Sequence, residues 1–201
     1  MGCNEADMRK NMFDCKVDKS DVEIKDNYAG RYTHLMFDYE FSGITRDIAG
    51  KFLVSLCDHV CFVRDAGEKL GVNPDQLKSH DWTKFSLEEF PYYARQFTGD
   101  KGDPDGFARA WLHHQNNNLH HWEYWITRSG HSHGGGGIVD GCLRMPREYV
   151  LEMVADWMGA SMAYTGSWDM TEWLTKNLQN IKLHPSTRED LNTILAGLGY
   201  K

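Results

Sequence analysis

KFLVSLCDHVCFVRDAGEKL, residues 51–70, is the stretch that decides the fold. Phe52, Leu56, His59 and Val63 recur every three or four residues, so they line one face of a helix. Leu53 and Val60 widen that face. The helix is expected to start near Ile48 and to stop at Gly67 or Gly71. His59 is the polar member of the apolar stripe. A lone histidine there is either a satisfied core side chain or a ligand.

Working outward, the helical period keeps returning. Asn73-Pro74 reads as an N-cap followed by a first-turn proline, opening a short helix that carries Leu77, His80, Asp81 and Lys84. Ser86-Leu87-Glu88-Glu89 has the form of a capping box and restarts a helix through Phe90, Tyr93, Ala94 and Phe97. Residues 99–106 read as a loop and 107–125 as a long helix. The glycine-rich stretch 129–141 is expected to be a flexible surface loop. Met145-Pro146-Arg147-Glu148 opens a helix lined by Tyr149, Val150, Met153, Val154, Trp157 and Ala160. Thr171 caps another, and Ser186-Thr187-Arg188-Glu189 is a second capping box ahead of Leu191, Ile194, Leu195 and Leu198. No stretch alternates in the manner of a strand. The expected fold is all-α: one helical domain over 28–201 with its core at 52–163, preceded by a polar arm at 1–27. Tyr32, Phe37, Tyr39 and Phe41 suggest partial burial after the arm.

The net charge of −7 argues against broad nucleic-acid binding, which needs a basic stripe. It leaves a small phosphate substrate open, because bound metal reverses the local sign. No apolar run approaches the ~20 residues that span a bilayer. The start, Met1-Gly2-Cys3-Asn4-Glu5-Ala6, lacks the Ser or Thr of a myristoylation signal. The five cysteines form no C-x-x-C pair and no signal peptide is read, so reduced thiols in the cytoplasm are expected. Cys57 and Cys61 are read as small core residues.

The chemistry is concentrated in histidines and acids. AWLHHQNNNLHHWEYW, residues 110–125, holds His113, His114, His120 and His121. His113 and His120 are seven apart, as are His114 and His121, so each pair keeps one face of an unbroken helix. Asn116, Asn117 and Asn118 are poor helix formers; a break there would bring His114, His120 and His121 closer together. A packing layer with Trp111, Trp122 and Trp125 is the alternative. Asp156 lies on an apolar face with Tyr149, Met153, Ala160 and Ala163, where an unpaired carboxylate would cost several kcal/mol. Glu152, one turn earlier, is either a base or further ligand, or the ion-pair partner of Arg147 or Lys84. Lys84, one turn after His80, is either a group that meets a metal-bound anion or a solvated charge. His131-x-His133 reads as part of the mobile loop.

The order His59, His80-Asp81, Asp156 resembles the HD-domain superfamily of metal-dependent phosphohydrolases, whose hallmark is H…HD…D, with further histidines before the last D in members holding two metals. Lys84 in HDWTK matches the lysine that often follows the HD pair. HDWTKFSLEEF, AWLHHQNNNLHHWEYW and MPREYVLEMVADWMGA also resemble an uncharacterised family of bacteria and their phages, over most of residues 56–190. The first resemblance implies an HD-domain-like helical bundle. It also implies metal ligands His59, His80, Asp81, His114, His120, His121 and Asp156, with Asp81 and Lys84 serving catalysis; Glu152, by its place one turn before Asp156, is the third candidate catalytic residue. Mixed imidazole and carboxylate ligands suit one or two ions of Mn, Fe, Zn, Ni or Co. The expected activity is phosphohydrolysis of a nucleotide or other small phosphate ester by a metal-activated water. A di-iron oxygenase and a non-catalytic metal-stabilised binding protein are the alternatives. Oligomerisation is left open.

Overall fold

The computed structural model describes residues 43–99, 101–127 and 137–200. Contacts divide the chain into residues 1–38 and 39–201, and every described residue belongs to the second unit. The arm at 1–27, the aromatics at 32–41, Cys3, Cys15 and the His131/His133 pair lie outside the described residues.

The described residues form an all-α fold. Helix α1 runs Arg46–Leu70, capped by Thr45, whose hydroxyl accepts from Ile48 N, and stopped at Gly71 with φ 77°. A left-handed φ is cheap for glycine, hence the clean C-terminus. Its buried face is Phe52, Leu56, His59, Val63, Ala66 and Gly67. Helix α2 is Pro74–Ser79, with the Asn73 side chain accepting from Asp75 N. A 3-10 turn at Trp82–Phe85 leads to α3, Phe90–Thr98. Helix α4 is Pro104–Asn117 and is followed by a second 3-10 turn, Trp122–Trp125. Strands β1 (Ile138–Val139) and β2 (Cys142–Leu143) pair antiparallel. Helix α5 is Arg147–Thr165, α6 is Thr171–Asn177 and α7 is Pro185–Gly197.

Helices α1 and α5 are the principal packed pair, with α3 against α1 and α7 against α5. Gly159 sets the first contact. A Cβ there would fall 2.5 Å from Val63 Cγ2 and 2.7 Å from Val63 N. Only a residue without a side chain lets the two backbones approach so closely. On the other side of α5, Met153, Val154, Leu174, Leu191 and Leu195 form one buried cluster, each contributing about 1.5–3 kcal/mol by burial. Among the described residues no helix is long and apolar enough to cross a membrane.

Several local expectations are corrected. The 107–125 helix is two pieces, and α4 opens at Pro104, inside the stretch read as a loop. Asn116, Asn117 and Asn118 each donate a side-chain N–H to the carbonyl four residues earlier, which competes with the helical ladder and ends the helix. Neither capping box forms. Ser86 terminates the 3-10 turn and α3 begins at Phe90, because Glu89 is taken by two histidines described below. Helix α7 begins at Pro185, whose fixed φ suits a first turn, and His184 accepts from Ser186 N. Thr187 is buried and accepts from Met145 N. Thr171 is the first residue of α6 rather than its cap; Asp169 accepts from its backbone N–H. The end of the glycine-rich stretch is a small hairpin. Cys57 and Cys61 are half-buried rather than core, and neither is in a disulfide; Cys142 is the buried one.

Candidate metal centre

Polar side chains from α1, the α2–α3 connection, the end of α4 and α5 turn into one buried space. His59 comes from the apolar face of α1. His80 and Asp81 were expected on a short helix, but α2 ends at Ser79 and His80 is extended, with φ −55° and ψ 131°. Asp81 is left-handed, with φ 56°. Neighbours on a helix point about 100° apart; the change of backbone hand is what lets both side chains point inward. A left-handed non-glycine residue costs about 1–2 kcal/mol, held here by the contacts of its side chain. Lys84 follows in the 3-10 turn.

Asp81 is wholly buried and divides its two oxygens. Oδ2 lies 3.0 Å from His59 Nε2, 3.6 Å from His80 Nε2 and 2.5 Å from Lys84 Nζ. Oδ1 lies 3.2 Å from His114 Nε2 and 3.6 Å from His120 Nε2. Asp156 Oδ1 closes the first set, 3.1 Å from His59 Nε2 and 3.4 Å from His80 Nε2. His121 closes the second, its ring centroid 4.6 Å from those of both His114 and His120. Three groups result, each with donor atoms within 4.8 Å of one another: His59, His80, Asp81, Asp156; Asp81, His114, His120, His121; and His80, His120, Glu152. The first two share Asp81.

A second ring of acids holds the imidazoles from behind. Glu152 Oε1 lies 3.0 Å from His80 Nδ1 and 3.3 Å from His120 Nδ1. Gln76 donates to the other Glu152 oxygen at 3.2 Å. Glu89 Oε2 lies 2.8 Å from His114 Nδ1 and Oε1 lies 2.7 Å from His113 Nδ1. Carboxylates on Nδ1 leave Nε2 to face the centre, the arrangement that orients metal-binding histidines. Arg147 pairs with Asp190 and Lys84 with Asp81, so neither is the partner considered for Glu152.

Hydrogen bonds from His59 and Lys84 to Asp81 Oδ2 satisfy only part of the centre. His80 Nε2, Asp81 Oδ1, His114 Nε2 and His120 Nε2 are buried without a hydrogen-bond partner, although they crowd within ion-pair distance. Buried polar groups normally find partners, and a shared cation would supply one to all four. Charge tells the same story. Burial opposes ionisation of Asp81, yet Lys84, His80 and His114 hold its carboxyl well below the usual range. Burial likewise opposes ionisation of Asp156, which His59 and His80 hold low. Burial disfavours an imidazolium at His80, but Asp81, Asp156 and Glu152 push it up to about 10. His120, buried and 4.4 Å from the His80 ring, is pushed down to about 4 by burial and by the charge on His80. The acids thus demand positive charge at their centre. These residues can hold a metal ion.

All seven residues expected as ligands are brought together. His113, set apart from them, is at the edge and bound to Glu89. Glu152, expected as a base or a further ligand, sits on the Nδ1 side of His80 and His120 and forms with them a third group that could hold a metal ion. The sequence reading missed Glu89, Thr83 and Asn118. Thr83 Oγ1 is 3.1 Å from His114 Nδ1, and Asn118 donates to Thr83 Oγ1 at 2.8 Å. Glu89 was disguised as a capping residue; its spacing from Ser86 gave no sign of its true partners.

A cavity of about 460 Å³ opens beside the centre, with Asp156, His120 and His121 on its wall. Fold and site together define an all-α protein with a buried histidine–carboxylate cluster able to hold metal. The chain belongs to a family of unknown function, DUF5662, whose profile matches residues 50–196. No curated protein and no solved structure matches it.

Proposed function

We propose that the protein is a metal-dependent phosphohydrolase acting on a nucleotide or other small phosphate ester, on an HD-domain-like helical scaffold. The observation that carries this reading is the division of Asp81 between two imidazole sets, beside a cavity of substrate size. One ion would be held by His59, His80, Asp81 and Asp156, a second by Asp81, His114, His120 and His121. Mn, Fe, Zn, Ni or Co suits such ligands, and when bound it supplies an acidified water and neutralises phosphoryl oxygens. The chain's own residues do the rest. Asp81 sets the spacing of the two sets, while Glu152 and Glu89 keep the Nε2 atoms aimed inward. Lys84 sits against Asp81 and adds positive charge at the place where a phosphoryl group would gather negative charge.

Metal analysis of the purified protein, followed by a screen of phosphate monoesters and nucleotides, tests the reading. Metal-dependent phosphate release, abolished in folded Asp81→Ala and His80→Ala, is the expected result. Full activity in those variants overturns it. So does oxygen-dependent turnover after anaerobic iron reconstitution without phosphate release, which marks an oxygenase. Tight metal with no turnover in the screen marks a binding protein instead.

A further inference from the structure

The cavity has walls of an unusual kind. Trp111, Trp157, Tyr164 and Trp173 face it, and among the described residues no lysine or arginine lines it. The Trp157 and Trp173 rings stand 4.8 Å apart at 44°. Trp111, Tyr164 and Trp173 remain 37%, 69% and 40% exposed, so large aromatic faces are left open at the cavity's edge. Trp111 also stands edge-on to His121, 5.4 Å between centroids, linking the aromatic wall to the ligand cluster. The charged side chains on the lining are acidic, Glu123 and Asp156. Lys84, the cation nearest the centre, is engaged by Asp81 and is not on the cavity wall. A volume of about 460 Å³ falls within the ~300–1,000 Å³ of small-molecule sites.

We propose that this cavity binds the organic half of the substrate, a flat ring stacked against Trp157 and Trp173, and that it selects monophosphates over di- and triphosphates. The inference rests on the phosphohydrolase reading and narrows its substrate class to ring-bearing monophosphate esters, such as nucleoside monophosphates. Stacking against indole tolerates many rings because each has a π-face. A single phosphoryl group is neutralised at the histidine–carboxylate centre. Further phosphates would meet Glu123, aromatic carbon and neutral side chains such as Ser161 and Thr165, with no lysine or arginine among the described lining residues to pair with them, and an unpaired charge is penalised.

The test uses the metal-loaded full chain. Binding of adenosine, adenosine 5′-monophosphate and adenosine 5′-triphosphate is followed by intrinsic tryptophan fluorescence. Steady-state kinetics compare adenosine 5′-monophosphate with glycerol 1-phosphate in wild type, Trp157→Leu and the more exposed Trp173→Leu. The monophosphate is expected to bind about tenfold or more tighter than the triphosphate. Each variant is expected to raise KM for the nucleotide about tenfold while leaving kcat/KM for glycerol 1-phosphate unchanged. Equal binding of mono- and triphosphate overturns the inference, as does an equal loss on both esters. If no ester is hydrolysed but adenosine quenches wild-type fluorescence and not that of the variants, the ring site stands and the phosphohydrolase reading fails.

Discussion

Asp81 Oδ2 stands 3.0 Å from His59 Nε2, across twenty-two residues of chain. The contact joins the middle of α1 to a left-handed residue after α2, and the opposite oxygen of the same carboxylate faces His114. One buried side chain therefore ties three separate segments to a common centre.

Asp81→Asn and Asp81→Ala should both lose metal but differ in stability. Asparagine tolerates the left-handed backbone at φ 56°, and alanine does not. After chelation, Asp81→Ala is expected to be about 1 kcal/mol less stable than Asp81→Asn in urea unfolding. Equal stability would show that the backbone there is unstrained.

Glu89→Gln and Glu152→Gln should weaken metal binding without removing a ligand. Loss of a carboxylate behind a metal-bound histidine costs about 10–100-fold in affinity. Glu152 supports His80 in one set and His120 in the other, whereas Glu89 supports His114 alone among the ligands. Competition titration with a chelating dye should show both sets weakened in Glu152→Gln and one in Glu89→Gln.

Chelated protein should lose stability in acid through Glu152. Burial alone would raise its pKa, but His120 and His80 lower it from 4.5 to about 2. A depressed folded pKa means that the unfolded chain binds the extra proton. The contribution is therefore present above pH 4.5 and lost as pH falls towards 2. At 1.36 kcal/mol per unit the loss is about 3 kcal/mol. Urea midpoints between pH 6 and 2.5 should fall more steeply for wild type than for Glu152→Gln; parallel curves would contradict the assignment.

Gly159→Ala should damage both fold and site. The new Cβ would meet Val63 Cγ2 and also the Val63 backbone N and Cα, so α1 and α5 must separate. Overpacking of this kind costs about 1–3 kcal/mol. Because His59 and Asp156 face each other across that interface at 3.1 Å, metal affinity should fall with thermal stability. Thermal unfolding with and without added metal reads both effects.

The α1 stripe, the Asn73-Pro74 start and the apolar face of α5 were legible because each depends on neighbours within a turn or two. His59 and Asp156 were legible for a similar reason, since a polar group on an apolar face is expensive unless something binds it; the other candidate ligands came from the H…HD…D order and the histidine cluster. The capping boxes failed because a local pattern competed with stronger distant partners. Glu89 bonds to His113 and His114, and Thr187 bonds to Met145 N, contacts invisible in spacing.

The sequence by itself determined that the chain is helical and which faces are buried, and its resemblance to the HD-domain superfamily singled out His59, His80, Asp81, His114, His120, His121 and Asp156 as candidate ligands. Only the tertiary structure decided how they meet. It set the change of backbone hand at Asp81, the break after Asn117, the carboxylates of Glu89 and Glu152 behind the rings, and the tryptophan-walled cavity beside them. Periodicity reports which way a side chain faces from its own helix. It carries no record of which atoms from other segments meet it there.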